Sequence, residues 1–231
     1  QYARRGRLRY SSTRDFGRAL ERALRRSGVP MAYSAGFHPH PKISYANGAA
    51  TGAASEAEYF EISVTERVDP DALATALDAA LPDGLDIVSV VEAQPGALAD
   101  RLQASRWLLE FPGVELADLE RAVAGFLAQE RVEVSRMFKK GVKSYDAREP
   151  VIRAETGLSD EGCAILTMVV RHTTPAVRPD DVLSAITAAT SFAPPRSPKA
   201  TRLAQGIWSS ETESVADPLA ADSVSYTHLT L

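Results

Sequence analysis

Two of the chain's four histidines, His38 and His40, stand two residues apart in a stretch reading Gly36-Phe37-His38-Pro39-His40-Pro41-Lys42. An imidazole with a pKa near neutrality can move protons or bind a metal through a ring nitrogen. A bound metal needs three or four ligands of suitable type. The stretch supplies two, His172 lies far along the chain, and the single cysteine, Cys163, heads an apolar run. No metal site and no cofactor are therefore expected in this chain. General acid–base chemistry is within reach of the pattern. His40, with Lys42 and Ser44 nearby in sequence, could move a proton between a ribose 2′-hydroxyl and a leaving oxygen. Contact without reaction is the other option, because Tyr33, Phe37 and Tyr45 could stack on splayed bases. The prolines stiffen the segment, which reads as a connection between two strands.

The residues that would surround such a site are cationic. Nine arginines fall between Arg4 and Arg26 against only Asp15 and Glu21. Further basic clusters run from Arg136 to Arg148 and from Arg196 to Arg202. The net charge of −4 argues against indiscriminate coating of nucleic acid. Local basic patches on a mildly acidic chain instead fit a defined anionic partner on one face. The expected RNA contacts are Arg7, Arg9, Arg18, Arg22, Arg25, Phe37, His40, Lys42, Lys139, Lys140, Lys143, Arg148 and Arg202. Gly48–Ser55 (GAATGAAS) lacks the Lys-Ser/Thr ending of a phosphate loop and reads as a flexible hairpin connection. Glu56, Glu58 and Glu61 read as the solvent side of a strand.

The elements that must hold these residues follow from periodicity. Ser12 with Asp15 three places on has capping-box spacing, and Phe16, Ala19, Leu20, Ala23 and Leu24 make the apolar stripe of a helix that Gly28 and Pro30 end. Residues 6–10 (GRLRY) alternate as a strand before it, and 30–34, 42–46 and 58–64 read as strands after it. Asp69 and Pro70 open a second helix through Leu81, and residues 85–91 follow as a strand. The pattern then recurs: strand 106–111, helix 116–128, strands 131–138 and 163–172 joined by a basic connection, helix 178–190, strand 200–208. Strand-helix-strand-strand-helix-strand, twice over, predicts an α+β chain of two tandem ferredoxin-like (βαββαβ) repeats with antiparallel sheets, at 1–94 and 95–208. One mixed sheet with helices on a single face is the alternative. Ser209–Ser223, polar and aperiodic, reads as a disordered acidic tail. Val224–Leu231 (VSYTHLTL) matches an in-frame translation of a sequencing adapter and, with Gln1 in place of Met, reads as a clipped open frame.

Arg4–Ser63, with the later blocks Met137–Arg148, Val169–Leu183 and Thr201–Gly206, resembles the radical SAM-linked protein family, in its actinobacterial form. The match in motif spans nearly all of Gln1–Gly206. Arg7, Arg9, Ser12, Asp15, Phe37, Pro39, His40, Pro41, Lys42, Ser44, Gly52, Ser55, Glu56 and Glu58 stand where that family has them. Two positions depart from it. Thr13 replaces the usual histidine of a Ser-His-x-Asp motif, and His38 replaces a usual Ser or Asn. The resemblance implies a partner radical SAM protein encoded nearby, with ribonuclease E/G and ribosomal-protein genes as neighbours. The chain has no Cys-x-x-x-Cys-x-x-Cys cluster, so the radical SAM chemistry itself is not its own.

The functional expectation is an RNA-binding accessory protein, leaning away from an enzyme, with tRNA or ribosomal RNA as the partner class. The alternatives are a metal-independent endoribonuclease with His40 as general acid/base, and a docking subunit of a radical SAM enzyme that touches no RNA. A single cysteine and no apolar run of bilayer-spanning length fit a bacterial cytoplasmic protein without membrane contact.

Overall fold

Capping decides the first long element. Ser12 Oγ accepts the N–H of Asp15 at 3.2 Å, while Asp15 Oδ2 accepts the N–H of Ser12 at 3.3 Å and its hydroxyl at 2.7 Å. This is the reciprocal box that the spacing predicts. It starts helix α1 (Thr13–Arg26), which buries Phe16, Leu20, Ala23 and Leu24. The computed structural model describes residues 1–223, so the adapter-like Val224–Leu231 lies outside the described residues. In chain order the other elements are β1 (Tyr2–Arg4), β2 (Ile43–Ala46), β3 (Ala54–Ile62), α2 (Pro70–Ala80), β4 (Leu85–Ile87), α3 (Leu98–Arg101), β5 (Ala104–Phe111), α4 (Leu116–Leu127), β6 (Glu133–Phe138), β7 (Gly141–Asp146), β8 (Val151–Leu158), β9 (Ala164–Arg171), α5 (Pro179–Thr190), β10 (Lys199–Ser209), β11 (Ser214–Ala216) and α6 (Ala220–Ser223). They form an α+β chain of two units, Gln1–Leu102 with the segment from Ala216, and Gln103–Val215.

In the first unit β1 pairs antiparallel with β3 and β4, and β2 pairs antiparallel with β3, giving the order β4-β1-β3-β2. One face of this sheet packs on α1 and α2. Tyr2 stacks on Phe16 with ring centroids 4.0 Å apart, and Leu20, Leu24, Leu73, Leu77 and Leu85 complete the layer. α2 begins as the sequence predicts, with Asp69 Oδ1 accepting the N–H of Asp71 at 2.9 Å and Pro70 in the first turn. Ala57 and Tyr59 face the other way, onto Leu98, Leu102 and Leu219.

Three expectations need correction. Residues 6–10 are not a strand but a 3-10 turn. Gly6 turns the chain at φ +52°, where most side chains are strained, and Arg5 N–H closes onto the carbonyl of Gly84 at 2.8 Å. Residues 30–34 make only isolated pairings, Met31 with Val64 and Tyr33 with Pro41, since Pro30, Pro39 and Pro41 carry no N–H for a ladder. The acidic 209–223 segment is ordered. It contributes β11, paired to β10, and then α6; Leu219, just before α6, and Asp222 within it are buried, and Asp222 accepts from Arg101 Nη1 at 2.6 Å.

The second unit pairs β10-β5-β9-β8, antiparallel throughout. α4 packs on α5, with Gly125 so close to Thr190 that an added Cβ would stand 2.6 Å from Thr190 Cγ2. The strand predicted at 131–138 does not join this sheet. The Lys139-Lys140-Gly141 turn, with Gly141 at φ +109°, folds β6 back onto β7 as a separate two-stranded hairpin. β8, read in the sequence as part of a connection, takes the place beside β9.

Candidate functional site

α1 presents its two faces cleanly. Opposite the buried stripe, Arg14, Arg18, Arg22 and Arg25 recur at four- and three-residue steps and are all exposed. None of the four forms an ion pair with another described residue. Such a row of exposed cations outside any ion pair attracts anions, with Asp15 the carboxylate that acts on Arg14 and Arg18.

Four residues beyond α1 the chain enters the Pro-His arm. Ser34 N–H donates to the carbonyl of His40 at 2.8 Å, and His40 N–H donates to Ser34 Oγ at 3.0 Å. These two bonds, with the Tyr33–Pro41 pairing, close a loop whose tip is Phe37. That ring is 102% exposed, with no apolar neighbour to cover it. His38, His40 and Lys42 are exposed beside it. Lys42 is anchored only through its backbone, giving its N–H to Ala32 and accepting from Ser63. Tyr45, by contrast, packs edge-on against Phe16, and burial raises its phenol pKa above the ordinary value. Ser44 donates to Glu61 at 3.3 Å, so it is turned to a carboxylate rather than to His40.

Sequence reasoning missed the most constrained feature of this unit. Arg4 is 3% exposed and Glu58 1% exposed, and both hold the loop at 48–53. Arg4 Nη2 donates to the carbonyls of Ala49, Ala50 and Ala53 at 2.9, 3.1 and 3.2 Å, and Nη1 to that of Ser11 at 3.3 Å. Glu58 accepts the N–H of Ala49 at 3.1 Å, and Gly52 N–H closes onto the carbonyl of Arg9 at 2.8 Å. The expected flexible connection is therefore a clamped loop, and Glu58 is a core residue rather than a solvent-facing one. Beside the clamp, the Arg9 guanidinium lies 4.7 Å over the ring of Tyr10, itself 60% exposed, and bonds its hydroxyl at 2.7 Å. Arg7 is exposed on the same turn. Arg5 is neutralised by Glu56 and Asp86, whose bonds raise its pKa.

The second unit has its own basic group at the β6–β7 turn. Lys139, Lys140 and Lys143 are exposed, with Lys143 Nζ 5.7 Å from the Phe138 ring centre. Arg136 pairs with the buried Asp181 and tops Phe138 at 4.7 Å. Tyr145 sits in this cluster. Burial first, then the carboxylate of Asp181, pushes its phenol up to about 12, although no acceptor lies in hydrogen-bonding geometry to its buried hydroxyl. Two of the expected contacts fail here. Arg202 is buried, 5.5 Å over Trp107, and Arg148 spends its donors on the carbonyls of Val151 and Leu127. Neither offers an exposed cation to a phosphate.

Residues 1–179 match a bacterial family described as an uncharacterized protein conserved in bacteria (DUF2344). The chain belongs to this family. Every candidate site residue except Arg202 lies inside the family match, which closes at the first residue of α5. Among curated proteins, none matches the chain significantly. Among the described residues, no group of three or more His, Cys, Asp or Glu is arranged to hold a metal ion, and no helix is long and apolar enough to cross a membrane.

Proposed function

We propose that this family member binds RNA as an accessory protein, using the exposed face of the first unit. The observation that carries the reading is Phe37, a fully exposed aromatic on a loop already closed by its own hydrogen bonds. A base can stack on such a ring without first ordering the loop, which lowers the entropic cost of contact. The unpaired arginine row of α1 and the exposed Arg7 and Lys42 supply phosphate contacts of the kind that give salt-dependent affinity. In the second unit Lys139, Lys140 and Lys143 form an exposed basic group of their own. Single-stranded segments of tRNA or ribosomal RNA are the proposed partners, in a bacterial cytoplasm, beside a radical SAM protein that the sequence resemblance suggests.

The strand orders β4-β1-β3-β2 and β10-β5-β9-β8 support reading both units as ferredoxin-like repeats, the second carrying the β6–β7 hairpin as an insertion. Such a repeat commonly offers one surface to a ligand and the other to its helices, but fold alone assigns no substrate.

The test is fluorescence anisotropy with labelled tRNA and ribosomal RNA fragments across a salt series, with the same samples on a denaturing gel. Binding with a steep salt slope and intact RNA is expected. RNA cut in a His40-dependent way would move the assignment to an endoribonuclease. No binding at low salt, with capture of a radical SAM protein through Phe37, would move it to a docking subunit.

A further inference from the structure

Phe37 is not the only aromatic ring that the first unit turns to solvent. Tyr10, the last residue of the 3-10 turn Gly6–Tyr10, is 60% exposed. Its backbone is held on both sides. The carbonyl of Arg9 accepts the N–H of Gly52 at 2.8 Å. Ser11 gives its N–H to the carbonyl of Leu8 at 2.9 Å, and its own carbonyl accepts from the buried Arg4 at 3.3 Å. The side chain is oriented as well, since Arg9 Nη2 donates to the Tyr10 hydroxyl at 2.7 Å.

The Arg9 guanidinium lies over one face of the ring, 4.7 Å from its centre. With that face taken and most of the residue still exposed, the opposite face is the one open to solvent. Gly52 keeps the ring edge clear. Its φ of +99° favours glycine, and an added Cβ would stand 3.9 Å from Tyr10 Cε1. Arg7, exposed, precedes Tyr10 by three residues, and side chains at that spacing eclipse in a 3-10 turn. A cation therefore accompanies the ring on the same side of the turn.

From this turn the chain passes directly through Ser11 and Ser12 into α1. Arg14, Arg18 and Arg22 advance in steps of about 6 Å, and the row from Arg14 to Arg25 is about 17 Å long. An extended single strand spaces its phosphates similarly along a nearly straight line, so the row can track one backbone. Two carboxylates share the helix. Asp15 is held in the cap by Ser12, and Glu21 acts on Tyr45 at the β2 side.

We infer that Tyr10 is a second base-stacking platform, at the N-terminal end of the arginine row, for a single-stranded RNA whose phosphates follow Arg14, Arg18, Arg22 and Arg25. This rests on the RNA binding proposed above and adds to it a second contact point and a track. One base stacks on the open face of Tyr10, and Arg7 meets its phosphate. Because both chain neighbours of Tyr10 are tied down before the strand arrives, stacking orders little of the protein.

The test uses a labelled oligouridylate on the whole chain. Anisotropy is read across a salt series, and photo-crosslinks from a 4-thiouridine at either end are mapped by mass spectrometry. Tyr10→Ala should weaken binding about five- to hundredfold without altering the salt slope, since the ring carries no charge. Tyr10→Phe should bind nearly as the unsubstituted chain does, and thermal melting should show both variants folded. Arg14→Ala should flatten the slope by about 0.7. One crosslink should fall on Tyr10. If the unsubstituted chain binds, Tyr10→Ala stays within about twofold of it and crosslinks fall elsewhere, the platform is overturned and RNA binding through Phe37 still stands. No binding by the unsubstituted chain at low salt would overturn both.

Discussion

Arg4 provides the sharpest test of the clamp. Its replacement by Ala removes every bond that fixes the carbonyls of Ser11, Ala49, Ala50 and Ala53 from the core side. The three carbonyls at Nη2 share two protons, so the four contacts amount to about three full hydrogen bonds, each contributing a net ~1 kcal/mol. Truncation also leaves a void under the loop, while removal of a buried cation returns some desolvation energy, and the two oppose each other. The expected loss is about 3 kcal/mol, a large share of the ~5–15 kcal/mol that holds an ordinary domain. Arg4→Lys should lose about 2 kcal/mol, since one ammonium cannot reach carbonyls spread around a planar guanidinium. Urea unfolding followed by circular dichroism reads both changes as midpoint shifts at constant slope. A loss under about 1 kcal/mol for Arg4→Ala would refute the clamp and return the loop to the flexible class.

Four further outcomes are expected. Reversing Arg18, Arg22 and Arg25 to Glu should weaken RNA binding more than about tenfold and flatten the salt slope by about two, as three lost phosphate contacts on a single strand require; thermal melting, read alongside, should not move. Phe37→Ala should cost about 1–3 kcal/mol of RNA affinity, the worth of one stacked base, with no change in melting temperature. Gly125→Ala should destabilise the second unit by about 1–3 kcal/mol in denaturant titration, because Thr190 is held by its own bond to Ile186 at 2.7 Å and cannot swing away. Tyr145 keeps its proton in the fold up to about 12, so unfolded chains release it first as pH rises from about 10. Its contribution to stability should therefore be full below about pH 10 and decline above it, and Tyr145→Phe should remove that decline in unfolding experiments run across alkaline pH.

Local rules carried much of the fold. The Ser12–Asp15 box, the α1 stripe and the Asp69-Pro70 start of α2 depend on residues within a few places of one another, and all three can be read before any tertiary contact is known. Arg4 and Glu58 could not be read that way. Charged side chains in strands look like solvent positions until the 48–53 loop folds over them, and that closure is a long-range event. Alternation also misled at residues 6–10, where Gly6 was the overlooked signal. In 131–146 the Lys139-Lys140-Gly141 turn is local, but its charge reads equally well as an exposed basic connection. Leu219 and Asp222 were hidden by an acidic, aperiodic setting that made their segment look disordered. Helical spacing alone puts Arg18, Arg22 and Arg25 off the apolar stripe, whereas the exposure of Phe37 depends on how its loop closes. The burial of Arg202 could not be read either, because a cation over an indole has the same sequence as one in water.

The return of the chain through Leu219 and Asp222 has a consequence for biogenesis. Leu219 completes the apolar layer formed by Ala57, Tyr59, Leu98 and Leu102, and Asp222 neutralises Arg101. During synthesis the first unit emerges with that layer uncovered. It must wait through translation of the whole of Gln103–Val215 before its last pieces leave the ribosome. Nascent chains stalled in that interval should expose Tyr59 and Leu98 to chaperones, and the C-terminal segment acts as the latch that ends the exposure.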